Sequence, residues 1–242
     1  MRLSSGGAQI VPERRFVQTA HAPHAKTTAM TLSAILFDFD GTLVESLDVK
    51  LVAFAALYRR YGNEVERAAV QHYREHSGVS RFKRIRHCHE QILGQTPSDA
   101  EINALGDTFG TMVEDKVVAS EWVPGAREFL DMYLGVVPLF VASATPQEEL
   151  ERIIAKRGMA GYFQAIFGSP PDKTEIIAGI IETHGLDRAG VFMIGDGRAD
   201  YDAAVANGVR FVGRLPPGLP NPFPEHTDVI NDLIDLPRFI QP

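Results

Sequence analysis

The sequence holds a single cysteine, Cys88, in 242 residues. That excludes an internal disulfide and any cysteine-rich metal site, and it suits a reducing, cytoplasmic compartment. No run approaches the roughly 20 consecutive apolar residues that cross a bilayer, so no membrane partner is expected. Positive charge is scarce as well. Lys and Arg number 24 against 31 Asp and Glu, a formal net charge of −7, the reverse of the basic footprint of a nucleic-acid binder. Internal repeats and low-complexity segments are missing. The first 29 residues lack the apolar core of a secretory signal. They read as a disordered tail or as an upstream start ahead of Met30, since Pro12 and Pro23 interrupt the amphipathic helix a transit-like peptide needs.

What is present is an ordinary globular composition, 45% hydrophobic and 23% charged, in a chain long enough for one large domain or two smaller ones. Its organising stretch is Ala34-Ile35-Leu36-Phe37-Asp38-Phe39-Asp40-Gly41-Thr42-Leu43-Val44. A short apolar run bounded by a turn signal reads as a strand buried on both faces. Asp38 and Asp40 then sit just beyond its carboxyl end, where open α/β sheets bind ligands. If the extended geometry persists, residues i and i+2 project the same way, and a divalent cation is one means of keeping both carboxylates ionised. The plainer reading is that Asp40-Gly41 is turn chemistry closing a strand.

Leu47, Leu51, Phe54, Leu57, Tyr58 and Tyr61 recur at helical spacing and predict a helix from Ser46 to Tyr61 ended by Gly62. Further helices are expected over 64–76, from an N-cap at Ser80, and from Thr96-Pro97-Ser98-Asp99 to about Ser120. Gly106 and Gly110 weaken the middle of the last one. No convincing strand interrupts this stretch. Beyond it, a helix from Pro124-Gly125 to Leu134 precedes apolar strands over 136–142, 165–167, 191–194 and 209–212. These alternate with helices over 148–156, 174–184 and 201–207, and a possible edge strand at Val229-Ile230 precedes a last short helix over 232–240. The pattern predicts a doubly wound parallel sheet, an α/β fold, with an inserted all-helical segment.

Each strand ends in a polar group: Asp38 and Asp40, then Ser143, then Lys173 after a short loop, then Asp196 and Asp200. In a parallel sheet these ends share one edge. Clustered carboxylates favour magnesium over a transition metal, and a lysine and a hydroxyl beside the ion would neutralise and orient a phosphoryl group. Taken singly, Lys173 could be a solvated loop residue, Ser143 a helix N-cap, and Asp196 and Asp200 turn and cap residues. Together the four stretches resemble, in order, the motifs of the haloacid dehalogenase-like hydrolase superfamily. The match runs from Leu32 to the C-terminus, and it is most similar to the phosphoglycolate phosphatase-like branch with a C1 helical cap.

The resemblance implies a core domain over 30–45 and 122–242, a cap over 46–121, and an N-terminal extension over 1–29. It implies that Asp38 is the nucleophile and Asp40 the general acid and base. Asp38, Asp196 and the Asp40 backbone carbonyl would hold Mg2+, with Asp200 supporting the metal or its waters, or holding Lys173. Ser143 and the Ala144 backbone N–H would bind phosphate oxygens, and Lys173 would stabilise charge on the phosphoryl group. The expected activity is magnesium-dependent hydrolysis of a small phosphorylated metabolite by a monomer or homodimer. The alternatives are a sugar phosphomutase and a non-catalytic phospholigand binder. Two departures stand out: Ala144 replaces the asparagine many relatives carry, and Thr174 follows Lys173 in place of proline.

The basic cluster Arg81, Lys83, Arg84, Arg86, His87 and His89 reads as a solvated helix face; the functional alternative is that Arg81 or a neighbour reaches an anionic substrate. His72, His76, His87 and His89 show no zinc spacing, and Cys88 reads as a packed small residue. Lys50, Lys83 and Lys116 carry no local mark of a Schiff-base lysine, and Asp40 argues against dehalogenation. Gly41 and the two strands flanking the insert are the expected hinges.

Overall fold

A computed structural model describes residues 31–240, so the expectations about residues 1–29 fall outside it. The described residues form six strands in one parallel sheet, ordered β3-β2-β1-β4-β5-β6. They are β1 (Ala34–Phe37), β2 (Leu139–Pro146), β3 (Ala165–Ser169), β4 (Val191–Gly195), β5 (Arg210–Arg214) and β6 (Val229–Ile230). The central strand β1 pairs with β2 through Ile35 and Leu139 and with β4 through Ala34 and Val191. All four β1 side chains are fully buried, as expected for a strand covered on both faces.

Alternation along the strands divides the core into two layers. Ile35, Phe37, Leu139 and Val141 pack with Phe129 and Leu130 of α5 (Ala126–Tyr133) and Leu150 and Ile153 of α6 (Gln147–Lys156). Leu36, Phe140 and Met193 face the other way, onto Ile177 and Ile180 of α7 (Lys173–His184) and Ala203 and Ala204 of α8 (Arg198–Asn207). Each fully buried large apolar side chain contributes about 1.5–3 kcal/mol by leaving water.

Between β1 and β2 lie α1 (Leu47–Tyr58), α2 (Asn63–Glu75), α3 (Arg81–His87) and α4 (Asp99–Ala119). A π-helical turn, Cys88–Ile92, continues α3. This helical cap joins the sheet through two paired linkers: Val123 N–H donates to Leu43 O at 3.0 Å and Glu45 N–H to Glu121 O at 2.9 Å. At its exit, Arg157 from the core donates to the carbonyls of Val117, Val118 and Ser120 at 3.0, 2.7 and 2.6 Å.

Several elements differ from the sequence expectation. The helix α4 is unbroken, opened by a capping box in which Ser98 and Glu101 satisfy each other's backbone N–H. Its glycines are there for close approach: a Cβ on Gly106 would lie 2.2 Å from the Phe82 ring, and one on Gly110 2.7 Å from Arg81 Nη1 and Glu149 Oε2. The strand β2 starts later than predicted and runs through Ser143, so that Ser143 lies within it. The last helix is only a 3-10 turn, Leu236–Arg238, with Pro237 inside it. Among the described residues, no helix is long and apolar enough to cross a membrane.

Candidate active site

All strands run parallel, so β1, β2 and β4 bring their carboxyl ends to one edge. There Asp38, Asp40, Ser143, Ala144, Thr145 and Asp196 line a single cavity of about 60 Å³ beneath the cap. The loop after β1 turns at Gly41, whose φ of +78° places it in the left-handed region. A Cβ there would also lie 2.8 Å from Asp196 Oδ2. Arg214 straps this loop, donating to Gly41 O at 3.1 Å and to both oxygens of Glu45 at 3.1 and 2.6 Å.

Lys173 is the first residue of α7, a position set by Asp172. Its carboxylate accepts from the Thr174 and Glu175 N–H groups at 3.0 and 3.1 Å, while Glu175 accepts from Asp172 N–H at 2.9 Å. The buried Lys173 ammonium then reaches Asp38 Oδ1 at 2.9 Å and also Asp200 Oδ1. Burial alone would lower its pKa, but the charges of Asp200 and Asp38 outweigh burial and raise it. Asp200 is fully buried, and its second oxygen accepts from Gly197 N–H at 3.0 Å.

Asp38, Asp196 and Asp200 bring carboxylate oxygens within 4.8 Å of one another. Burial, then the charges of Asp38 and Asp200, push Asp196 well above the usual carboxylate range. Crowded, buried oxygen donors of one sign fit a hard divalent cation such as magnesium. The Asp40 carboxylate stands apart from this trio. It accepts from Ser46 Oγ at 2.6 Å, from Thr145 Oγ1 at 2.9 Å and from the Lys50 ammonium. Burial would raise its pKa, yet the Lys50 charge and the hydrogen bonds from Lys50, Ser46 and Thr145 hold it below the usual range. The Ser143 hydroxyl, buried at the cavity, accepts from Thr145 N–H at 3.1 Å and keeps its own proton to donate.

Two sequence expectations about the cap change. Lys50 is strongly marked: it is 7% exposed, lines the cavity, and bonds Thr145 Oγ1 at 3.0 Å as well as Asp40. The available signal was a lysine inside an apolar helical stripe with Leu47, Phe54 and Leu57. The basic cluster is likewise not a solvated face throughout. Lys83 is exposed and Arg86 pairs with Asp99 at 2.5 Å, but Arg81, Arg84 and His89 are buried. Arg81 lines the cavity and donates to Glu149 Oε1 of α6 at 2.5 Å. The loop at Ser77-Gly78 also reaches the core: a Cβ on Gly197 would lie 2.7 Å from Ser77 O, and one on Gly78 3.7 Å from Lys173 Nζ.

A family model described as haloacid dehalogenase-like hydrolase matches residues 35–214. No curated protein matches in sequence. Among solved structures, the chain is similar to a predicted phosphoglycolate phosphatase of Haemophilus somnus 129PT, with 19% identity, 88% of this chain and 100% of that chain covered, and a TM-score of 0.68. A candidate beta-phosphoglucomutase of Bacteroides vulgatus gives 19%, 87% and 88%, and 0.69. A candidate HAD-hydrolase of Bacillus subtilis bound to magnesium gives 16%, 87% and 99%, and 0.62. At these identities the structures share the fold.

Proposed function

This chain belongs to the haloacid dehalogenase-like hydrolases, and on that premise we propose that it is a magnesium-dependent phosphatase of a small phosphomonoester. The observation that carries the reading is the pairing at the end of β1. Asp38 lines the cavity with Lys173 on one oxygen, while Asp40 lines the same cavity under separate hydrogen-bond control. One carboxylate is thereby equipped as a nucleophile and the other as an acid–base group.

In this reading an Asp38 oxygen attacks phosphorus and the bond to the leaving alcohol breaks, with Asp40 giving the departing oxygen its proton. Asp40 then removes a proton from the water that attacks the aspartyl-phosphate, which returns Asp38 and releases phosphate. The contacts that lower the Asp40 pKa favour the ionised form needed for this second step and oppose the protonated form from which Asp40 gives its proton in the first. Lys173 offsets charge on Asp38 and on the phosphoryl oxygens, and Ser143 Oγ with the Ala144 N–H orients them. Asp38, Asp196 and Asp200 would hold or support the magnesium ion, which when bound supplies further charge stabilisation to the transferring group.

The test is phosphate release from a panel of small phosphomonoesters, phosphoglycolate and sugar phosphates included, with magnesium. Asp38→Asn should lower kcat by at least about a thousandfold, since the nucleophile itself is lost. Undiminished release by that variant would sink the proposal. The small, covered cavity also suits a phosphomutase, which must keep water from the aspartyl-phosphate. Isomerised sugar phosphate in place of free phosphate would select that reading.

A further inference from the structure

Lys50, Arg81 and Arg84 of the cap line the cavity, and the first two are neutralised within the protein. Lys50 lies on Asp40, and Arg81 on Glu149. Arg84 differs. It is 5% exposed, and among the described residues no carboxylate stands in ion-pair range of it. Its Nη2 donates to His76 O at 2.6 Å, its Cζ lies 3.9 Å from the centre of the Tyr73 ring, and its Nε is buried without a partner.

A buried guanidinium with one carbonyl and one aromatic face is undercompensated, because neither contact supplies a negative charge. The arrangement is nonetheless well held. Tyr73, itself 9% exposed and lining the same cavity, stacks under the planar fork and fixes its orientation. The other end of the cavity is already assigned to the phosphoryl group. A small anionic group on the remaining part of the ligand would meet the one cavity-lining cation that, among the described residues, no carboxylate of the protein matches.

We propose that Arg84, backed by Tyr73, recognises a second anionic group on the substrate, a carboxylate or a second phosphate remote from the phosphoryl group that is cleaved. The substrate class is then a short phosphomonoester with two anionic ends; assigning its first end rests on the phosphatase reading. The small cavity favours the more compact carboxylate, since typical ligand pockets are roughly 300–1,000 Å³.

Three two-carbon probes isolate the far end: phosphoglycolate, ethylene glycol bisphosphate and 2-hydroxyethyl phosphate. Their affinities are measured by calorimetry with magnesium on the Asp38→Asn protein, and kcat/KM is measured separately on the wild type. The expected result is that at least one anionic probe binds about 10- to 100-fold tighter than the neutral one, the range for a hydrogen bond to a charged group. Arg84→Gln should bring that ratio close to one, and Arg84→Lys should retain part of it. The tighter of the two anionic probes identifies the group. Equal binding of all three probes overturns the proposal before Arg84 is touched, and a ratio that survives Arg84→Gln overturns it afterwards. Discrimination in binding without hydrolysis of any probe would remove the phosphatase reading and leave the anion site standing. Hydrolysis without discrimination would do the reverse.

Discussion

The ammonium of Lys50, carried by the first cap helix, lies on the carboxylate of Asp40 at the end of the central strand, and the Thr145 hydroxyl bonds both. A cap residue thus sets the charge state of a core residue. Replacing it with Lys50→Met removes the largest influence lowering the Asp40 pKa, so that pKa should rise. Base catalysis is lost as pH falls through the Asp40 pKa, so the acid limb of the pH–rate profile should move to higher pH. Profiles of kcat for the two proteins check this, and superimposable acid limbs would contradict it.

Asp196 makes the opposite prediction for stability. Its folded pKa lies above its ordinary 3.8, owing to burial and to Asp38 and Asp200. Between those values the folded protein binds the extra proton, so metal-free stability should decline as pH rises from about 4. Magnesium should reverse the decline, and Asp196→Asn should lessen it, the remainder coming from Asp200, which burial pushes up to about 7. Melting temperatures across pH, with chelator and with magnesium, read all three effects.

His72 works in the other direction. Burial, then the neighbouring His76, His87 and Arg84, push its pKa from 6.5 down to about 4. The unfolded chain takes up a proton that folded His72 refuses, so stability should fall as pH drops through that window. The urea midpoint of the wild type should decrease from pH 7 to pH 5, and that of His72→Gln should decrease less.

Gly106→Ala tests the packing of α4 against α3. Helix propensity alone would stabilise the variant by about 1 kcal/mol. The new methyl, however, would stand 2.2 Å from the Phe82 ring, and overpacking costs about 1–3 kcal/mol. We expect net destabilisation in denaturant titrations, relieved by pairing the change with Phe82→Leu.

The sheet was legible because β1, β2 and β4 are continuous apolar runs, and buried parallel strands impose that pattern directly. The convergence of Asp38, Asp40, Ser143 and Asp196 followed from strand polarity, which needs no side-chain detail. Lys173 was found as a charge, but its place at the helix start depended on the Asp172–Glu175 capping box. The cap was less legible. The local sequence of Arg81 to His89 shows a run of basic residues, and nothing in it separates Lys83, left in water, from Arg84, buried over Tyr73. That difference arises from tertiary packing of α3 on α2, as does the role of the α4 glycines, which look like helix weaknesses until Phe82 and Arg81 are set against them.

The anchoring of α4 has a mechanical consequence. Arg157 holds the carbonyl end of that helix, and Arg152 and Lys156 grip Glu114 at 2.9 Å each from the same core helix, α6. The cap is therefore moored to the core along α4 and α6, while Lys50 of α1 on Asp40 and Arg81 of α3 on Glu149 bridge it to the core again beside the cavity. These bridges are electrostatic, so a ligand that enters between cap and core would have to trade with them charge for charge.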